Sequence, residues 1–166
     1  MNNEVVVLPA PTPAQVEVLR QRIMSYDLSI PRNFLLRTGM PTEKVAVMEA
    51  EYRKYILLNL AFPDGMNPIC YEVDEFWHTH VLHTEYYEAF CNTLTDGGIF
   101  LHHRPAPTPE EKEILQAIYD QNTIGRLTQL FGSVNRDVWK PNAQVCLCCC
   151  AGRYTRDALH AQMITA

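Results

Sequence analysis

The sequence predicts a mainly α-helical protein: a single compact domain of about four to five helices, with a short cysteine-rich extended segment near the C-terminus. Two features predict this class. Apolar residues recur at helical spacing, most regularly between Thr42 and Pro63, and Thr-Pro pairs suited to starting a helix stand at Thr12 and Thr108. A chain of 166 residues is a usual size for one domain and buries about two thirds of the surface its unfolded form exposes.

The N-terminal part begins with an extended lead-in over residues 1–11. Thr12 is suited to cap a helix, Pro13 fits its first position, and Gln15 stands where a capping box requires Glu or Gln. We therefore expect a helix to about Ser25. Its inward-facing apolar positions are Val16, Leu19 and Ile23.

A connector, "SIPRNFLLRTGMP", follows because its prolines and glycine interrupt the helical pattern, leaving room for one short helix around Phe34. The next helix opens at Thr42 and runs as far as Pro63, and "PDGMNP" then makes a turn. The apolar positions that set its three-and-four rhythm are Val45, Met48, Tyr52, Tyr55, Ile56 and Leu60.

A further helix is predicted from about Val73 to Thr93, where "DGG" stops it, and the short segment "IFLHHRPAP" follows. Thr108 then caps a helix with Glu111 at the capping-box position. That helix reaches about Leu130, and "FGS" ends it. The region 142–166 is the cysteine-rich C-terminal segment, with a final amphipathic turn or two near its end.

Composition excludes several classes of protein. Hydrophobic residues make up 47% and charged residues 20%, which is typical of a globular protein and not of a disordered or fibrous one. The longest apolar run, Tyr55 to Phe62, is far shorter than the roughly 20 residues that span a bilayer. No basic signal-peptide start is visible, so we expect a cytoplasmic protein. A net charge of −5 without a basic cluster argues against a nucleic-acid partner.

The stretch "VDEFWHTHVLHTEYYEAFC" is rich in histidine. On a helix, two side chains can share a metal ion only at spacing three or four, which selects Asp74 with His78 and His80 with His83. His78 and His80 differ by two positions and point about 160° apart. Cys91 lies about 16 Å along the axis from His80, out of reach of either pair. A metal site therefore needs a ligand from outside this helix.

The segment "FLHHRP" can supply that ligand if the chain folds back after Gly97-Gly98. Three protein ligands are the number that a catalytic zinc or mononuclear iron site uses while leaving a position for water. Two sets are open: the two-histidine, one-carboxylate set Asp74, His78 and His103, and the all-imidazole set His80, His83 and His102. A structural network, in which Asp74 only orients a semi-buried His78, is the alternative to both.

The ordered pieces "EYRKYILLNLAFP", "VDEFWHTHVLHTEYYEAFC", "LHHRPAPT" and "FGSVNRDVWKP" resemble the domain of the glycine-rich domain-containing protein-like group, over a core of residues 45–141. The resemblance implies a domain and candidate positions but no reaction. It favours the set with His103 over the all-imidazole set and implies that Trp139 is a packing anchor. The positions it singles out are Asp74, Trp77, His78, Tyr87, Cys91 and His103.

The motif "CLCCC" holds four of the six cysteines. Without a secretion signal, such a group indicates free thiols, metal ligands or redox chemistry before disulfides. Soft thiolates favour Zn²⁺ or Cu(I), whereas buried cysteines can also act as small apolar residues, and adjacent cysteines can carry lipid. The motif residues are Cys146, Cys148, Cys149 and Cys150, with Cys70, Cys91 or His160 as additional ligands.

Three functional hypotheses follow. The first is a metal-binding domain that holds Zn²⁺ or Fe²⁺ on Asp74, His78 and His103, with Tyr87 or His80 as acid or base if the domain is an enzyme. The second is a non-catalytic interaction module whose Trp/Tyr/His surface or cysteine-rich segment docks onto a protein partner. The third is a copper or zinc handling protein centred on the cysteine cluster.

Overall fold

The computed structural model describes residues 9–63, 65–96, 100–103 and 108–141, together with the backbone of residues 145–149. The protein is mainly helical, as predicted. Its elements in chain order are α1 (Pro13–Ser25), α2 (Ser29–Arg37), α3 (Thr42–Ala61), β1 (Pro68–Cys70), α4 (Tyr71–Leu82), α5 (Thr84–Leu94), α6 (Pro109–Ile118), a π-helix (Tyr119–Gly125), α7 (Arg126–Phe131) and β2 (Val145–Cys149).

The predicted helix starts at the two Thr-Pro pairs are confirmed. Thr12 and Gln15 form a capping box: the Thr12 amide donates to Gln15 Oε1 at 2.8 Å, and the Gln15 amide donates to Thr12 Oγ1 at 3.3 Å. The Thr108 hydroxyl accepts the Glu111 amide at 3.3 Å. Gly132 follows α7 with φ of 77°, a conformation that favours glycine, so the predicted stop at "FGS" is also confirmed.

Helix α3 is the centre of the fold, and α1, α2, α4 and α7 all pack against it. The short helix predicted around Phe34 is present as α2. The apolar side chains that predicted α3 are all buried, together with aromatic residues from α4, α5 and the segments near the C-terminus. The largest fully buried side chains include Trp77, Trp139, Tyr52, Tyr55, Tyr87, Tyr119, Phe76 and Phe90.

The predicted single helix from Val73 to Thr93 is wrong, because the chain breaks at His83 (φ −89°, ψ 67°) into α4 and α5. The His83 amide donates to the His80 carbonyl instead of continuing the α-helical pattern. The Thr79 carbonyl, which thereby lacks its backbone partner, lies 2.7 Å from His83 Nδ1 and hydrogen-bonds to it. A side-chain bond thus replaces a backbone bond and lets α5 turn its aromatic face toward α4.

The described residues contain more helices than the four to five predicted, since the long C-terminal helix also divides. Its middle is a π-helix, which is held to the chain before α4 by side chains: Asn122 Nδ2 donates to the Met66 carbonyl at 2.9 Å, and Thr123 Oγ1 donates to the Pro68 carbonyl at 2.6 Å. Short π segments are rare and break the register of the side chains along a helix.

Strands β1 and β2 form a two-stranded antiparallel sheet, in which Ile69 lies opposite Cys146 and Cys70 opposite Val145. The sequence did not predict β1, which follows the predicted turn. Residues 1–8 of the predicted lead-in over residues 1–11 lie outside the described residues, as do Cys150, His160 and the predicted final turn.

Candidate metal centre

Asp74 and His78 occupy the same side of α4, one turn apart. The Asp74 side chain is almost fully buried, with 2% of its surface exposed, whereas the His78 side chain is half exposed at 50%. His78 Nδ1 lies 3.4 Å from Asp74 Oδ2. A buried carboxylate is therefore joined to an imidazole that reaches solvent.

The segment 100–103 brings a third side chain to this pair. His103 Nε2 lies 3.0 Å from Asp74 Oδ1, and the His103 side chain is 9% exposed. Its ring packs edge-on against Trp77, with centroids 4.8 Å apart, and its centroid lies 4.2 Å from that of His78. The chain thus returns to α4 after α5. The predicted turn at Gly97-Gly98 lies outside the described residues.

A hydrogen-bonded relay fixes the segment that carries His103. Trp77 Nε1 on α4 donates to the Tyr87 hydroxyl on α5 at 3.0 Å, and that hydroxyl donates to the carbonyl of the buried residue Leu101. The Leu101 backbone also hydrogen-bonds the buried Cys91 thiol, whose pKa burial raises. Two helices therefore hold the backbone two residues before His103.

The spacing of the three side chains suits a small metal ion. One ligand atom from each of Asp74, His78 and His103 can be chosen so that all lie within 4.8 Å of one another. Zinc or iron bonds of about 2.0–2.2 Å place tetrahedral ligand atoms about 3.4 Å apart. His103 Nε2 lies 3.0 Å from one Asp74 oxygen and His78 Nδ1 lies 3.4 Å from the other, so a single ion would require these side chains to move closer together. Two imidazoles and one carboxylate are also the donor set of mononuclear iron and catalytic zinc sites.

The same three side chains also form a polar group without an ion, with a hydrogen bond between His103 and Asp74 and an ion-pair distance between His78 and Asp74. His103 and His78 both lie within 4.0 Å of the Asp74 carboxylate, so burial of that acid is compensated by two polar partners. The geometry places the predicted set together, and metal ligation by it stays a prediction.

The all-imidazole set does not assemble into a cluster within the part of the chain that the structure describes. His80 is fully buried among aromatic rings, with its Nδ1 2.9 Å from the Tyr52 hydroxyl, and burial lowers its pKa to about 3. His83 binds the Thr79 carbonyl at the helix break, and His102 is exposed beside Phe100.

The two residues predicted as acid or base occupy the interior. Tyr87 is 1% exposed and its hydroxyl binds Trp77 and Leu101, while His80 is held neutral by burial. Trp77 and Tyr87 are both buried, so neither contributes to an exposed surface, and the interaction-module hypothesis stays a prediction.

The structure describes only some of the residues in the cysteine hypothesis. Cys70 and Cys91 are buried free thiols, and burial raises the pKa of Cys70 to about 12, so it is protonated at neutral pH. The backbone of Cys146, Cys148 and Cys149 lies in β2, but their side chains fall outside the described residues. Cys150 and His160 lie outside them entirely. Thiolate ligation stays a prediction.

Sequence reasoning missed the role of the relay. The resemblance singled out Trp77, Tyr87 and Cys91 without giving them contacts, and the structure shows that all three surround the backbone before His103. No signal in the sequence joins these positions, because Trp77 and Tyr87 meet only after the helix breaks at His83.

Fold and site together define a mainly helical protein with a partly exposed Asp–His–His group. Within the described residues, none of the helices has both the length and the apolar character needed to cross a membrane. The chain belongs to the UCP032817-like family, whose model matches residues 29–123, more than half of the 166 residues. The assignment to the glycine-rich domain-containing protein-like group is wrong, because the matching family is a different one. Neither a curated protein nor a solved structure matches the chain.

Proposed function

We propose that this protein binds one Zn²⁺ or Fe²⁺ ion through Asp74, His78 and His103. The observation that carries the proposal is the convergence of three potential ligands from two separate segments, with the carboxylate buried and one imidazole half exposed. Three protein ligands would leave at least one coordination position for water or a substrate oxygen. When bound, the ion would act as a Lewis acid toward a water or substrate oxygen.

The protein supplies preorganisation for this site. Asp74 lies within 3.4 Å of both imidazoles, so we expect binding to require only movements of these side chains. The relay through Tyr87 keeps the His103 segment in place, which is the role that outer hydrogen bonds have around metal ligands. The Trp77 ring beside His103 limits the positions that this imidazole can take.

Metal binding is tested with tag-free protein stripped by a chelator and titrated with Zn²⁺, Fe²⁺ under anaerobic conditions, and Co²⁺ as a spectroscopic probe. We expect one equivalent to bind and the Co²⁺ absorption bands to report imidazole and carboxylate ligation. Loss of an outer partner costs about ten- to hundredfold in affinity, so Asp74→Asn, His78→Ala and His103→Ala should each cost at least about a hundredfold.

The chain provides a matched control in His102→Ala. His102 is the exposed neighbour of His103 and belongs to the set that does not assemble. The affinity of His102→Ala for the metal ion should stay within about twofold of wild type, since the substitution removes no proposed ligand. Less than a tenth of an equivalent bound by the wild type for all three ions would overturn the proposal, as would equal losses in His102→Ala and His103→Ala.

A further inference from the structure

A cavity with mainly apolar walls lies between α1, α2 and α3. Its volume is about 410 Å³, within the range of about 300–1,000 Å³ that is usual for small-molecule sites. The cavity lies apart from the candidate metal ligands, since none of them lines it. Its apolar walls come from Met24, Leu36, Val45, Ala46 and Ala50.

The space in this cavity depends on small side chains of α3. Ala46 and Ala50 are four residues apart and therefore share one face of the helix, and both are exposed. A longer side chain at either position would extend into the volume that Met24 and Leu36 border from the other two helices. The sequence thus keeps this face of α3 open.

A charged group also lines the cavity. Arg32 on α2 donates to the buried Glu49 carboxylate on α3 through Nε at 2.5 Å and through Nη2 at 2.8 Å. Arg53 binds the same carboxylate and two backbone carbonyls through all three of its nitrogens. Arg32 Nη1 makes no hydrogen bond to any residue that the structure describes, and this side chain is 40% exposed. The two N–H groups of Nη1 can therefore bind an acceptor from outside the protein.

The charges at the cavity favour an anion. Its lining contains three bases and one acid, and the third base, Lys54, pairs with Glu51 at 2.7 Å. Three positive and two negative charges leave one positive charge here, in a chain whose net charge is −5. A guanidinium forms strong charge-assisted hydrogen bonds with a carboxylate, so a head with one negative charge matches this end of the cavity.

We propose that the cavity binds a small monocarboxylate with an apolar acyl or aryl body. The carboxylate accepts hydrogen bonds from Arg32 Nη1, and the apolar body lies against Ala46 and Ala50. The single negative charge of this head equals the excess positive charge of the lining, whereas a dianion such as a phosphate monoester exceeds it. The inference is independent of the proposed metal site, because the two sites share no residue.

The test measures the binding of butanoate, octanoate and octan-1-ol to the full chain by isothermal titration calorimetry, in EDTA so that no metal ion contributes. Each buried CH₂ group corresponds to about fourfold in affinity, so octanoate should bind at least about tenfold more tightly than butanoate. Octan-1-ol lacks the charge that pairs with Arg32 and should bind at least about tenfold more weakly than octanoate.

Two variants separate the head from the body of the ligand. In Arg32→Gln, the preference for octanoate over octan-1-ol should fall to about threefold or less, while affinity for octan-1-ol stays within about twofold. Arg20→Gln is the matched control, because Arg20 is a partly exposed arginine that also pairs with an acid and does not line the cavity. It should keep the wild-type preference.

Ala50→Leu fills the cavity and should weaken octanoate and octan-1-ol alike by at least about tenfold, with an unchanged urea midpoint. Ala89→Leu, at an exposed alanine of α5 outside the lining, should change neither affinity. The inference is overturned if the wild type prefers neither octanoate over butanoate nor octanoate over octan-1-ol, or if Ala50→Leu binds as the wild type does. Equal losses in Arg32→Gln and Arg20→Gln would also overturn it. If Arg32→Gln does not fold, the wild-type comparison and Ala50→Leu still decide.

Discussion

Replacing Tyr87 with phenylalanine tests whether the relay positions His103, the proposed metal ligand. The substitution removes one hydroxyl and leaves two buried groups, the Trp77 indole N–H and the Leu101 carbonyl, without that partner. A buried polar group that loses its partner costs about 1–3 kcal/mol, so the free energy of unfolding should fall by roughly 2–4 kcal/mol. Because the His103 segment is then less constrained, affinity for Zn²⁺ should fall about ten- to hundredfold.

Tyr86→Phe is the appropriate control for this experiment. Tyr86 precedes Tyr87 on α5, and its hydroxyl is buried without a hydrogen-bond partner among the described residues. Its removal should change the free energy of unfolding by less than about 0.5 kcal/mol and leave metal affinity unchanged. Urea denaturation and Co²⁺ titration measure both quantities on each variant. If Tyr87→Phe loses stability but binds the ion as tightly as the wild type, the relay is purely structural.

Three further predictions concern stability, each measured by urea denaturation. Burial lowers the pKa of His80 from 6.5 to about 3, so below pH 6.5 the unfolded chain binds a proton that the folded chain does not. The contribution of His80 to stability is therefore complete above about pH 6.5, and the free energy of unfolding should fall by roughly 2 kcal/mol between pH 7.5 and 5. His80→Phe should remove that part of the loss. Gly65→Ala should cost about 1–3 kcal/mol, because a Cβ there would displace the Arg126 guanidinium and break its 2.7 Å hydrogen bond to Asn67 Oδ1. An unchanged urea midpoint would contradict this. Trp139→Phe should lower the free energy of unfolding by about 2–4 kcal/mol, since it removes the 2.7 Å hydrogen bond to the buried Glu51 carboxylate and leaves space in the core. A loss below about 1 kcal/mol would contradict this prediction.

Much of the helical framework could be predicted from local sequence. The Thr12 and Thr108 caps and the apolar rhythm of α3 are encoded in short windows, where side chains meet the backbone or one face of their own helix. The break at His83 could not be predicted this way, because no proline or glycine marks it. It depends on an imidazole binding a carbonyl one turn back and on the core that α5 reaches afterwards.

Part of the candidate site could also be predicted from local sequence, and part depends on tertiary structure. The Asp74 and His78 pair follows from spacing on one helix, since residues four apart share a face. Which histidine of the "FLHHRP" segment joins them depends on the conformation of that segment, and the bond from Tyr87 to Leu101 sets it. The burial of His80 could not be predicted either, because only tertiary packing distinguishes it from the two other histidines within the same six positions.

The boundaries of the family match have a practical consequence for anyone who produces this protein. The match covers residues 29–123, yet the core of that region is completed from both sides: Arg53 donates to the carbonyl of Ile23 in α1, and the indole of Trp139 stacks on the core and binds Glu51. A fragment limited to the matched residues would lose these bonds and expose the parts of the core that α1 and Trp139 cover, although Arg53 would keep Glu49 and Glu51 would keep Lys54 as partners. A stable fragment of this protein therefore needs residues on both sides of the matched region.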